Sequence, residues 1–238
     1  MIKTKQQSSR NYIMEACAGI LVLFIYFFFS NFQGIFLELC NINPDTISIG
    51  VKVFYLVSWE ILMIALIMLL LHKKLEHDMH DMKKNHQKYY QKYFKYWLGA
   101  LGIMMVSNAI IALLSNGGIS QNETVIRDNF AISPLYVYIS AVWLAPVLEE
   151  LVFRQGIRNI IPIDSFFILL SGLVFGVLHV VTSMTSAFDL LYLIPYCAPG
   201  FAFAYMLTKT DNIFVSMGLH FMHNGILISL QFILLFFG

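Results

Sequence analysis

Charge is what this chain has least of. Only 12% of its 238 residues are Asp, Glu, Lys or Arg, about half of the roughly 25% usual in a soluble domain. Hydrophobic residues make up 58%. Such a sequence is far from that of an ordinary soluble domain, and its length fits one membrane domain without a substantial soluble one. Cysteine is scarce too. Cys17, Cys40 and Cys197 are scattered, odd in number and without CxxC spacing, which supports neither a disulfide framework nor a cysteine-based metal site. A net charge of +1 gives no argument for a nucleic-acid partner. No internal repeat is visible, nor are the matched broken helices in two halves that mark many transporters.

What the chain does have is apolar runs near the ~20 residues needed to cross a bilayer. They fall at 13–36, 51–71, 96–115, 133–160, 165–183, 187–207 and 213–237. The expectation is an all-α, polytopic transmembrane helix bundle of about seven helices. Residues Met1 to Arg10 are polar and basic. The run after them is long enough to span and lacks a small-x-small cleavage site, so it is read as a retained first helix. Pro146 in the fourth run, and Pro195 and Pro199 in the sixth, are places where a helix can kink.

The segment 72–97 is charged and free of Gly and Pro, and is read as a helical cytoplasmic connector. Its histidines at 72, 77, 80 and 86 are read as solvated, beside lysines and aromatics that suit anionic headgroups. With a cytoplasmic N-terminus, the inside segments hold Lys3, Lys5, Arg10, the connector lysines, Arg154, Arg158 and Lys209. Of the 15 lysines and arginines only Lys52 and Arg127 then fall outside, a strong positive-inside bias. This predicts an integral, multi-pass protein of a bacterial cell membrane. Residues 1–132 are read as N-terminal transmembrane helices with the 72–97 connector, and residues 133–238 as a second helical unit.

Ionisable residues in the bilayer core cost at least ~2.5–3.5 kcal/mol and are rare there without a task or a partner. Yet the later runs carry Glu149, Glu150 and Arg154, then His179, then His220 and Asn224. At ~1.5 Å of rise per residue, Glu150 lies roughly 15 Å, His179 roughly 21 Å and His220 roughly 12 Å from the assumed cytoplasmic helix ends. Three helices thus bring polar groups to a common depth. His220 and Asn224 are i, i+4 and share a face; so do Glu150 and Arg154, acid before base. Glu149 is rotated about 100° from Glu150. The simplest assignment pairs Glu150 with Arg154 and leaves Glu149 facing a cavity, although a rotated helix would exchange the two glutamates. His223 is assigned to packing, and Glu60, alone in the second run, is left unassigned.

A water between Glu149 and His179 has what hydrolysis needs, a base and a group to orient it or shuttle its proton. His220 and the Asn224 amide can donate to the oxyanion formed at a peptide carbonyl. Zinc held by Glu149, His179 and His220 is the alternative. There is no HExxH, and the sequence leaves both open.

Glu149-Glu150-x-x-x-Arg154, Phe175-x-x-x-His179 and His220-x-x-x-Asn224, in that order, resemble the motifs of the CPBP family, the CAAX proteases and bacteriocin-processing (Abi) enzymes. Asn212-Ile213 ahead of His220 is similar to the start of that family's last helix. The resemblance covers about residues 133–230. It implies an intramembrane endopeptidase with an all-helical core, a cavity within the bilayer and access from the cytoplasm. The family's catalytic glutamate, two histidines and asparagine carry over to Glu149, His179, His220 and Asn224, with Glu150 and Arg154 supporting. It also implies a water activated by glutamate rather than by metal. The expected partners are the lipid bilayer and a membrane-associated or amphipathic peptide or protein substrate, of the prenylated CAAX, peptide-pheromone or bacteriocin-related kind. Two rival readings remain: a non-catalytic scaffold or immunity protein that binds a peptide or sensor, and a proton-coupled transporter.

Overall fold

A computed structural model describes residues 2–237, with side chains described from Asn11 to Ile233. Lys3, Lys5 and Arg10 therefore lie outside the described side chains. The described residues form seven helices and no strand: α1 (Ile2–Leu39), α2 (Ile49–Leu114), α3 (Gln121–Ile132), α4 (Pro134–Ile160), α5 (Asp164–Val181), α6 (Ala187–Thr210) and α7 (Ile213–Phe237). Six of these, all but the short α3, are long and apolar enough to cross a membrane. The all-α polytopic bundle expected from the apolar runs is the fold observed.

The helix count agrees for an unexpected reason. The separate runs 51–71 and 96–115, and the connector between them, are one unbroken helix, the 66-residue α2. At 1.5 Å per residue this is about 99 Å of helix, against about 30 Å of hydrocarbon. Its contacts trace its course. Near its start, Tyr55 and Trp59 donate to the α1 carbonyls of Gln33 and Phe29. At mid-length Lys74 and Asp78 meet Asp211 and Ile213 at the α6–α7 turn. Near its end Ile111 packs with Val180 and Tyr192.

The turn at Asp211 lies at the bundle end that also holds Ile160, which accepts from Tyr12, and Asp164, which pairs with Arg158. Tyr192 lies a full helix away, at the start of α6. Along its length the partners of α2 thus change from α1, to the α6–α7 turn, to the start of α6. Two buried stripes at helical spacing match this path: Met63, Ile64, Ile67 and Leu71 on the first arm, Tyr93, Trp97, Ala100 and Met104 on the second. The seventh helix of the count is α3, which the apolar pattern did not announce. Ser120 caps it by accepting from Glu123 N–H at 3.1 Å.

The main core mixes both halves of the chain, joining Val22, Met63 and Ile67 to Leu151, Phe153, Phe175 and Met217. Small residues set the closest approaches. A Cβ added to Gly200 of α6 would sit 3.0 Å from the Gly172 carbonyl of α5, so these helices pack backbone to backbone, as small residues allow in membranes. That contact fixes α5, which carries His179, against α6, which carries Tyr196 and Phe203.

Candidate active site

Pro146 organises α4. A proline in a helix has no N–H to give and its ring crowds the carbonyl four residues earlier. Here the helix widens to a π turn over Tyr138–Leu144, recovers α geometry over Ala145–Glu149, and widens again over Glu150–Gly156. Single π turns inside α-helices recur at functional sites. Every residue of the second π turn is buried, and Ser171 of α5 donates to the Phe153 carbonyl within it at 2.6 Å. The two glutamates fall on either side of the boundary between α and π geometry.

Glu150 is fully buried. Its Oε1 lies 3.5 Å from Arg154 Nε and accepts from His220 Nδ1 at 3.0 Å. The Arg154 guanidinium, also fully buried, sits over the Phe175 ring at 4.4 Å. Arg154, expected among the cytoplasmic charges, lies in the core instead. Glu149, on the other face, has a side chain 18% exposed. Its Oε2 is 3.6 Å from His220 Nε2 and its Oε1 is 4.0 Å from His179 Nε2.

Both imidazoles are held from behind. His179 Nδ1 lies 2.8 Å from the Phe175 carbonyl. A carbonyl can only accept, so Nδ1 carries the proton and the neutral ring has its lone pair on Nε2, toward Glu149. The ring stacks on Tyr196 at 5.2 Å and contacts Phe175 at 4.4 Å. His220 donates Nδ1–H to Glu150, stacks on Phe203 at 4.9 Å, and turns Nε2 toward Glu149. Glu149, Glu150, Arg154, His179 and His220 therefore form one contiguous group drawn from α4, α5 and α7.

Asn224 stands one step away. Its Nδ2 donates to the Ala141 carbonyl in the first π turn at 2.8 Å, which leaves its second N–H for another acceptor. His223 faces elsewhere and receives the Trp97 indole N–H at 3.3 Å. Among the described residues no three His, Cys, Asp or Glu side chains are grouped to hold a metal ion. Glu149 lies 3.6 Å from His220 and 4.0 Å from His179, at and beyond the roughly 3.3–3.6 Å that bonds of about 2.0–2.2 Å set between the ligands of a tetrahedral zinc.

Apolar patterning hid two features. One is a cavity of about 200 Å³ between α1, α2 and α4, into which Glu149 opens beside Glu60, Tyr26, Trp59 and Ser140. The lone acid at position 60 was its only signal. A larger groove of about 610 Å³, lined by Ile168, Leu173, Ile194 and Phe201 among others, includes none of the six candidate residues. The other feature is a polar latch at the α6–α7 turn. Buried Asp78 accepts from Ile213 N–H at 3.1 Å and from Lys74 at 2.9 Å, while Asn212 donates to the Asp78 carbonyl at 2.7 Å and to Asp81 at 2.8 Å. It anchors the start of α7, two turns before His220.

Comparison with known proteins converges on the same segment. Residues 131–226 match the family model described as type II CAAX prenyl endopeptidase Rce1-like. A Bacillus subtilis protein named "Putative membrane peptidase YdiL" is 32% identical over 115 residues, covering 47% of this chain and 43% of that one. An "Uncharacterized protein" of Mycoplasma capricolum is 31% identical over 111 residues, 44% of this chain and 32% of its own length. The similarity thus spans less than half of either relative. No solved structure matches the chain. The matched segment runs from the end of α3 into α7 and includes all six candidate residues, and over that segment, less than half of its length, the chain is similar to the type II CAAX prenyl endopeptidases described as Rce1-like.

Proposed function

We propose that this chain is an intramembrane endopeptidase in which Glu149 activates a water held with His179 and His220. One observation carries the reading: the Glu149 carboxylate, which lines a cavity between apolar spans, lies 3.6 and 4.0 Å from the Nε2 atoms of two imidazoles. Atoms this far apart can each lie about 2.8 Å from one bridging oxygen. In this reading the water donates one hydrogen bond to Glu149 and another to the His179 lone pair. Glu149 takes the proton as the water oxygen bonds to the peptide carbonyl carbon. It then returns that proton to the amide nitrogen as the C–N bond breaks. The oxyanion receives a hydrogen bond from the free Asn224 N–H. Glu150 and Arg154 serve as positioning residues, with Glu150 fixing the His220 ring.

The same reading makes residues 133–238 the catalytic core and residues 1–132 the helices that enclose it. It takes the bundle end with Arg158, Lys209 and the mid-α2 lysines as cytoplasmic, following the positive-inside rule. The substrate is a membrane-associated or amphipathic peptide. The test is cleavage of an amphipathic peptide panel by purified protein. Glu149→Ala and His179→Ala are expected to abolish cleavage while the protein stays folded in detergent. Full activity in both variants would remove the proposal.

A further inference from the structure

The motif-bearing helices leave one acid unexplained. Glu60 lies in the first arm of α2, and its Oε1 accepts from Ser140 at 2.8 Å. Tyr136 also faces this carboxyl. Its Oε2 is buried with no hydrogen-bond partner. Glu150 has Arg154 and Asp78 has Lys74, whereas Glu60 has no cationic partner among the described residues. An acid in a membrane span without a counter-charge marks a functional position by default.

The surroundings say what the partner is. Glu60 and Glu149 line the same cavity of about 200 Å³, and no lining residue is basic. The cavity therefore carries two carboxylates and no cation; Ser30, Gln33 and Ser140 add neutral polar groups, and Met63, Leu148 and Ala145 supply aliphatic surface. Trp59 and Tyr26 present aromatic rings, and the Trp59 indole is fixed by its bond to the Phe29 carbonyl at 2.9 Å. Carboxylate, aromatic wall and aliphatic lining together match a long side chain ending in a cation: the stem packs, the head pairs with the acid and lies against the rings.

We propose that this cavity binds one lysine or arginine side chain of the peptide substrate, with Glu60 as its counter-charge. The inference rests on the peptidase reading, because Glu149 shares the cavity and so puts the basic residue next to the cleaved bond. It also gives α1 and the first arm of α2, which carry no family motif, a role in specificity. Neutral residues of the same length would leave the Glu60 oxygen unpaired and be disfavoured.

Amphipathic peptides differing only in lysine or norleucine at each position around the cleaved bond provide the test. At one position the wild-type protein is expected to favour lysine in kcat/KM by at least about tenfold, the scale of a desolvated charge pair. Glu60→Gln should bring that ratio near one and Glu60→Asp should restore much of it. A linear alkylammonium ion should inhibit cleavage of the lysine peptide on unmodified protein at least about tenfold more strongly than the neutral alkanol of the same length, an arm independent of any variant's folding. Equal rates for both peptides in the wild type would overturn the proposal, as would a lysine preference that survives Glu60→Gln. A Glu60→Gln loss that is equal for both peptides would overturn it in favour of a proton-transfer role. Affinities of both peptides for the His179→Ala protein separate the two claims. Lysine-selective binding without cleavage in any wild-type assay would sink the peptidase reading alone, and lysine-blind cleavage would sink the pocket alone.

Discussion

The cavity around Glu149 and the latch around Asp78 are both polar constructions in an apolar protein, and they treat hydrogen bonding in opposite ways. At the latch the charges and amides are matched. Asp78 takes Lys74 and the Ile213 N–H, Asn212 bonds to Asp78 and Asp81, and Phe214 N–H returns to Asn212 Oδ1 at 3.0 Å. At the cavity they are not. Glu149 stands just beyond hydrogen-bond reach of both imidazoles, and a Glu60 oxygen is unpartnered. A saturated network stabilises and specifies a structure, whereas an unsaturated one costs stability and leaves sites for substrate and water. The contrast is testable residue by residue. Cavity substitutions should remove activity at little cost in stability, and latch substitutions should do the reverse.

The largest effect is expected at Glu149. Glu149→Gln keeps the shape and removes the base, so cleavage should fall by roughly 10²- to 10⁴-fold, the usual contribution of a general base. Thermal unfolding in detergent should be unchanged, since Glu149 makes no hydrogen bond or close ion pair among the described residues that the amide would break. A large loss of stability alongside the loss of rate would place Glu149 with the structural residues and break the comparison.

Arg154 tests the border between the two classes. It is fully buried beside Glu150 and Phe175, but it does not face Glu149's cavity. Arg154→Ala leaves Glu150 as a buried charge without its counter-charge, a change that costs about 3–5 kcal/mol in comparable pairs. Unfolding should therefore shift strongly. Arg154→Ala combined with Glu150→Leu should recover part of that stability without recovering cleavage, because His220 would lose the carboxylate that orients it.

Which parts of this were legible in the sequence follows the same division. Apolar runs located the spans, because burial in lipid imposes a length and a composition. The i, i+4 order of Glu150 and Arg154 gave their proximity, and the 100° step gave Glu149 a different face. Three other things depend on packing that no local pattern encodes. The connector's lack of Gly and Pro announced a helix, but not that it would continue into both neighbouring runs as α2. Polarity changes along a helix do not interrupt its hydrogen bonds. The π turns around Pro146 shift the angular register within α4, which a 3.6-residue period cannot anticipate. Asn224 shares a face with His220 as the spacing requires, yet one of its N–H groups is taken by the Ala141 carbonyl across an interhelical contact. The Asp78–Asn212 and Glu60–Ser140 contacts join residues far apart in sequence, and only the fold reveals them.

Asp78→Ala is the corresponding test at the latch. It leaves the buried Ile213 N–H without its acceptor, and an orphaned buried donor costs about 1–3 kcal/mol. Because Asn212 also holds the Asp78 backbone carbonyl and Asp81, the turn should persist and protein that folds should still cleave. Amide exchange at the start of α7 should quicken while kcat at saturating peptide changes little. A collapse of kcat at unchanged stability would mean that the latch governs His220 directly.

The smallest expected effect lies between the two regions, at Trp97. Its indole N–H donates to His223 Nδ1 at 3.3 Å, tying the second arm of α2 to α7 one turn from His220. If His223 is packing, as its turn away from the cavity argues, the bond is structural and neutral. Trp97→Phe then removes one hydrogen bond worth about 0.5–1.5 kcal/mol while keeping an aromatic ring against Phe94. A modest fall in unfolding temperature with unchanged kcat/KM is the expected result, because His220 is gripped independently by Glu150 and by the Phe203 ring. If cleavage fell while stability held, the Trp97–His223 pair would belong to the catalytic side, and the boundary between matched and unmatched polar groups would have to be redrawn around α7.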